Sequence, residues 1–323
     1  MTTLKSVAIA VGLCSSAFGQ ATSPVVGYET LDIKAGEFNL LGLRLHGKIL
    51  VSGTFDSSGA DSLTDSGADY SGFDAGSTYI VEFDGGDTVV ATGASFSGDT
   101  LSGLSGDLSA LLVDYSVREA MTLTDVFGSD NSVVGLAEAT SLAAADVVWV
   151  WDGTAFQRYF YNPGQPPFVT EGWKNSSNND ADPAMVYTDG FLVQTRGGAD
   201  LDLVVSGSVA TEARGIDINE GFNYFSSVFP VGVTLDNSGL ESAVASATSL
   251  ADADVVWLWD GAAGSYSRYF YNPGQPPFVT EGWKDASNNE AGTTEMTSGF
   301  LIQRKAAGSA SGEVTPPAIY TNL

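Results

Sequence analysis

The sequence predicts an all-β protein of two tandem β-sandwich or barrel-like modules, the first carrying a β-rich insertion. Three observations predict it. Thirty-eight glycines with frequent Ser, Asp and Asn suit short strands joined by tight turns, and 43% of the residues are aliphatic or aromatic, enough for packed cores. A length of 323 residues corresponds to two domains of ordinary size. The second half also repeats the first: the seventeen residues 158–174 recur unchanged as 268–284, which chance cannot produce.

The N-terminus reads as an address. Lys5, the apolar run over residues 7–13, and the small residues Ser15, Ser16, Ala17, Gly19 and Ala21 form the pattern of a signal peptide over residues 1–20. The apolar run is too short to cross a bilayer. A secreted, periplasmic or cell-surface location follows. Cys14 is the only cysteine and lies inside this segment, so the exported chain holds no disulfide, thiol nucleophile or zinc–thiolate site.

The first module is expected over residues 24–208. Its entry strand, Leu31-Asp32-Ile33 followed by Gly36, Phe38 and Asn39, returns in the second module as Ile216-Asp217-Ile218 with Gly221, Phe222 and Asn223, Glu37 being the one extra residue. An insertion over about residues 48–118 separates this strand from the rest of the first module. The insertion opens with a loop rich in Gly, Ser and Asp over residues 56–77, expected to be irregular. A hairpin follows, with residues 79–83 and 88–91 joined by Asp84-Gly85-Gly86-Asp87. The insertion is expected to add strands to the first module rather than to form a domain of its own.

Beyond it, Met121-Thr122-Leu123 parallels Val233-Thr234-Leu235, and residues 145–153 return as 253–261 with Val150 replaced by Leu258. Val147, Trp149 and Trp151 share one side of a strand, and Phe156, Arg158 and Phe160 one side of the next. The second copy has two more residues in the intervening turn, and an even insertion leaves every side chain on its original side. Asn162-Pro163-Gly164-Gln165-Pro166-Pro167, repeated over residues 272–277, cannot be a central strand, because proline lacks a ladder donor. This is a stiff loop, serving as a structural turn or a low-entropy recognition surface. Gly190-Phe191-Leu192-Val193-Gln194, repeated as Gly299-Phe300-Leu301-Ile302-Gln303, closes each module. The second module is expected over residues 209–308, and 309–323 as a C-terminal tail.

The combination of a Gly-Phe-Asn entry strand, a Thr-Leu segment, Ala-Asp-Val-Val-Trp with a Trp-Asp-Gly turn, then Tyr-Phe-Tyr, Gly-Trp and a closing Gly-Phe strand resembles a family of uncharacterised secreted bacterial proteins, mostly verrucomicrobial. The resemblance extends over about residues 25–304. It implies export and a β architecture, and it carries no established activity and no catalytic residues.

Chemistry is sparse. Thirteen basic against 39 acidic side chains give a net charge of −26, a field that repels nucleic acid and anionic lipid, and no membrane insertion is expected once the signal is removed. His46 is the only histidine, and no Gly-x-Ser-x-Gly elbow, glycine-rich phosphate loop or His-x-x-x-His pair occurs. Glu171 and Glu281 are the carboxylates to suspect in a glycosidase, but they are equivalent positions in separate copies, and that chemistry needs two carboxylates about 5 to 10 Å apart. The expectation is a protein that is not an enzyme. No cofactor is expected; calcium is the most credible candidate, at Asp56, Asp61, Asp65, Asp69 and Asp74 or at Asn178, Asn179, Asp180 and Asn288, Asn289, Glu290, but none has EF-hand spacing and solvated acidic loops are the favoured reading.

All six tryptophans fall in the repeat. Most of its aromatics are expected to fill cores. Arg158, Tyr159, Tyr161 and Trp173, with Arg268, Tyr269, Tyr271 and Trp283, are the candidate ligand-binding set, with Tyr159, Tyr161, Trp173 and their repeats the rings expected to be exposed. Tyr and Trp stack on sugar rings, and arginine supplies hydrogen bonds. The expected roles are structural or adhesive outside the cell or, as the alternative, bivalent glycan binding. The partners would be extracellular polysaccharide or cell-surface proteins.

Overall fold

Strand alternation sets the inside of each sheet. In Val147–Trp151, Val148 and Val150 enter the main core, so Trp149 and Trp151 emerge on the opposite side. This computed structural model describes residues 26–92, 94–104, 114–260 and 263–320, so the signal-peptide reading and Cys14 lie outside the described residues. The described chain is nearly all β, in antiparallel sheets.

Each copy contributes a five-stranded sheet with the same strand order. In the first, Gly172–Asn175, Phe156–Asn162, Val147–Trp151, Gly190–Gln194 and Phe38–Gly42 lie side by side. In the second the row is Gly282–Asp285, Ser265–Asn272, Val255–Asp260, Gly299–Arg304 and Gly221–Ser226. Register is preserved as well: Trp149 lies opposite Arg158 and Trp257 opposite Arg268, while Tyr161 faces Trp173 and Tyr271 faces Trp283. A smaller antiparallel sheet accompanies each: Val26–Ile33, Leu201–Val209 and Leu45–His46 in the first copy, and the pair Arg214–Ile218 with Ala310–Val314 in the second. The residues expected as a C-terminal tail therefore include a strand, and Tyr320 beyond it is buried against Phe229 at a ring distance of 5.3 Å.

Repeated polar residues hold the turns. Asn39 accepts the Lys34 N–H and donates to the carbonyls of Lys34 and Val193, and Asn223 makes the corresponding bonds with Asn219 and Ile302. The aspartates of the two Ala-Asp-Val-Val runs are buried and accept paired backbone bonds. Asp146 takes the N–H groups of Ala137 and Arg196, and Asp254 those of Ala245 and Lys305. The Thr-Leu segment of the first copy is a short helix, Leu123–Phe127, capped reciprocally by Thr122 and Asp125.

The copies meet through small residues. A Cβ at Gly299 would lie 2.7 Å from the Leu41 carbonyl carbon, and one at Gly190 would lie 3.1 Å from the Phe225 oxygen. Leu41 corresponds to Phe225 and Gly190 to Gly299, so the contact is reciprocal, as in an isologous dimer. Ser226 Oγ donates to the Leu43 carbonyl, and the Ser226 N–H to that of Thr188. One hydrophobic core runs from Leu31 through both copies to Tyr320. The two copies thus bury their apolar surface together in one core.

The insertion differs from expectation. Its strands form two four-stranded sheets that pair only among themselves: Ile49–Thr54, Asp114–Glu119, Thr78–Phe83 and Thr88–Thr92, and then Ser57–Ser58, Ser62–Thr64, Thr100–Ser102 and Ser95–Ser97. They enclose a separate core that includes Phe55, Leu63, Tyr70, Val81, Phe83, Leu101 and Tyr115. The acidic loop expected to be irregular supplies two of these short strands and the buried Tyr70. Its aspartates make turns: Asp65, Asp69 and Asp74 accept the N–H groups of Gly67, Ser71 and Gly76, each two residues on.

A buried charge cluster ties the insertion to both copies. Glu82 of the insertion accepts Arg118 Nε on both oxygens at 2.9 Å, Ser116 Oγ and Tyr187 OH at 2.7 Å each, and lies 3.3 Å from Arg214 Nη2. Burial alone would raise the Glu82 pKa, but Arg214 and Arg118 outweigh it and hold the carboxyl down at about 2.

Candidate ligand-binding faces

The outward side of each five-stranded sheet carries the same three side chains. In the first copy the Arg158 guanidinium sits 5.4 Å from the Trp149 ring centroid, with the Phe38 ring 6.0 Å away on the other side. In the second, Arg268 lies 5.6 Å from Trp257 and Phe222 6.2 Å from it. Both Phe–Trp pairs are tilted by 57°. Phe38 and Phe222 are about half exposed, at 50% and 54%, and both arginines are exposed. These positions come from three different strands, so the sheet register places them together.

The aromatic row continues along the hairpins. Trp151 packs edge-on to Phe156, Phe156 meets Tyr224 of the second copy at 4.8 Å, and Trp259 packs on Tyr266. None of these rings belongs to either hydrophobic core. All are partly exposed. The indole N–H groups of Trp149 and Trp257 are shielded and have no hydrogen-bond partner among the described residues. Partly exposed rings beside exposed guanidiniums are a chemistry that can stack on the C–H face of a polyhydroxylated ligand while the arginines bond its hydroxyls.

The exposure expected for Tyr159, Tyr161, Trp173 and their repeats is corrected. Tyr161, Trp173 and Trp283 are buried in the core, and Tyr159, Tyr269 and Tyr271 are partly buried against it. The reason is parity: Tyr159 lies opposite Val148, which faces inward, so Tyr161 follows it inward and Trp173, paired with Tyr161, does too. Trp173 donates its indole N–H to the Gly128 carbonyl at 2.8 Å. Burial pushes the Tyr161 hydroxyl up to about 12, and it donates to Glu171, as Tyr271 does to Glu281. Of the predicted ligand-binding set, only Arg158 and Arg268 are exposed.

The proline-rich loops are a second repeated surface, and there the sequence reading passed over the residue that protrudes. Gln165 and Val169 exchange backbone bonds, Asn162 accepts the Gly164 N–H, and Gln275, Val279, Asn272 and Gly274 repeat the pattern. Beneath each loop lies a buried lysine. Lys174 bonds Thr170 and Asp180, and Lys284 bonds Thr280 and Glu290. Asp180 and Glu290, weighed as calcium ligands, are engaged in these ion pairs. Phe168 and Phe278 stand out from the clamped loops at 89% and 90% exposure. Apolar side chains without internal neighbours, repeated in both copies, were the available signal.

His46 is buried, its ring 4.4 Å from that of Tyr187, and burial followed by the nearby Arg118 lowers its pKa to about 3. It is uncharged at neutral pH and sealed from solvent, which leaves it no access to a substrate proton. Among the described residues, no three His, Cys, Asp or Glu side chains gather in a metal-binding group. Comparison with family models, with curated proteins and with solved structures finds no match to this chain.

Proposed function

We propose that this protein is an exported, non-catalytic adhesion protein that binds extracellular polysaccharide through two equivalent aromatic faces, Phe38–Trp149–Arg158 and Phe222–Trp257–Arg268. The observation that carries the reading is the outward Phe–Trp–Arg trio, reproduced in geometry by both copies. The N-terminal segment and the resemblance to secreted bacterial proteins support export. Contact with cell-surface proteins is a second reading, favoured by Phe168 and Phe278 on their rigid loops.

A glycan array probed with the mature protein tests the reading, with Trp149→Ala, Trp257→Ala as the paired change. Specific binding that falls at least tenfold in this variant, while circular dichroism and melting stay close to the parent, supports it. Binding that survives the double change places the ligand elsewhere. Polysaccharide hydrolysis that disappears in Glu171→Gln would overturn the non-catalytic assignment.

A further inference from the structure

A cleft of about 490 Å³ lies between the Trp-rich hairpin of the first copy and the insertion. Trp151, Tyr159, Val150 and Val186 supply apolar wall, and Thr78 and Val90 close it from the insertion side. The charged side chains on its lining are Asp152 and Asp189, and no lysine or arginine is among them. Asp189 is fixed from both sides. Its backbone N–H donates to the Val186 carbonyl, its main chain bridges to Phe225, and Gly190 next to it is packed at the contact between the copies.

We propose that this cleft binds a small organic cation, a protonated or quaternary amine with an apolar body, whose ammonium meets Asp189 while the body lies against Trp151 and Tyr159. The charge of the lining selects the sign of the ligand, and the strongly acidic chain as a whole draws cations toward it. The rings select a cation over a neutral group, because an ammonium over an aromatic face gains about 0.5 to 2 kcal/mol. The site belongs to the first copy alone. Ser298 stands where the second copy would have the aspartate, and that copy lacks the insertion that closes the cleft.

Ionisation supports the assignment. Burial raises the Asp189 carboxyl to about 7, so an arriving cation supplies the charge partner it lacks. The other titratable groups on the lining stay fixed near neutrality. Asp152 is held ionised by hydrogen bonds from the Ala155 N–H and from Thr154, and burial keeps the Tyr159 hydroxyl protonated.

The test is a titration of the intact protein with phenethylamine, followed by tryptophan fluorescence and calorimetry, beside its neutral counterpart 2-phenylethanol. Phenethylamine should bind at pH 8, more weakly at pH 5.5 by at least tenfold, and the alcohol should bind at least tenfold less well than the amine. Asp189→Asn and Asp189→Ser, the latter placing the second copy's own residue in the first, should each lose at least tenfold in amine affinity with a melting temperature no lower than the parent's. Trp149→Ala, Trp257→Ala should leave amine binding intact, which separates this site from the glycan faces. Equal affinity for amine and alcohol, an Asp189 variant that binds like the parent, or no amine binding at millimolar concentration overturns the proposal.

Discussion

Replacing Glu82 by alanine should destabilise the protein by about 3 to 5 kcal/mol, the range expected when one partner of a buried ion pair is removed. The carboxylate has 3% of its side-chain surface exposed, and the two guanidiniums that would lose it have 5% each. The pKa gives an independent route to the magnitude. The carboxyl falls from 4.5 to about 2 in the fold, and at about 1.4 kcal/mol per unit this amounts to about 3 kcal/mol. Because the folded pKa is depressed, the contribution is present in full above pH 4.5 and is lost as the pH falls toward 2. Urea unfolding at pH 7, and again in steps from pH 5 to 2, measures both effects. The parent should lose stability across the acid range more steeply than Glu82→Ala. A change below about 1 kcal/mol at pH 7, or identical acid profiles for the two proteins, would refute the reasoning.

Three further outcomes are expected. Trp173→Ala removes a buried ring packed edge-on to Phe127 and Tyr161 and a hydrogen bond to Gly128, and should cost about 3 to 5 kcal/mol in denaturant unfolding, whereas Trp149→Ala on the outer face should cost about 1 kcal/mol. Gly299→Ala forces a methyl against the Leu41 backbone and should lower stability by about 1 to 3 kcal/mol, measured as a fall in the urea midpoint. Asp189 titrates at about 7 in the fold against 3.8 in its absence, so its contribution is whole below 3.8 and is lost as the pH rises to 7. Asp189→Asn should therefore raise the melting temperature at pH 8 and leave it nearly unchanged at pH 4.

The sequence made the all-β class and the repeated strand order readable, because the exact repeat and the strict alternation both survive in it. Alternation also grouped Val147, Trp149 and Trp151 on one side. It did not say which side was inside. The answer lay in Val148 and Val150, two β-branched residues that the core takes while the larger indoles stay outside. Composition misled here, since tryptophan is expected to be buried more often than not. The partners of Glu82 were hidden for another reason: Arg118, Tyr187 and Arg214 are scattered along the chain and converge only when the insertion docks. Asp146 and Asp254 were visible as a repeated letter, but their backbone bonds need residues about nine and fifty positions away. The cleft at Asp189 arises where the insertion meets one copy, and no repeat could announce a site that only one copy has.

The reciprocal contact of Leu41 with Gly299 and Phe225 with Gly190 also bears on direction. Where the twofold implied by this reciprocity runs perpendicular to the two faces, their binding strands point in opposite senses. A linear glycan has polarity, from its non-reducing to its reducing end, so one straight strand laid across both faces would meet the second of them backwards. Equal engagement takes two antiparallel strands, or one that doubles back. On the glycan reading, the molecule would act as a fastener between neighbouring strands, and its hold would grow with how densely they are packed rather than with how long each one is.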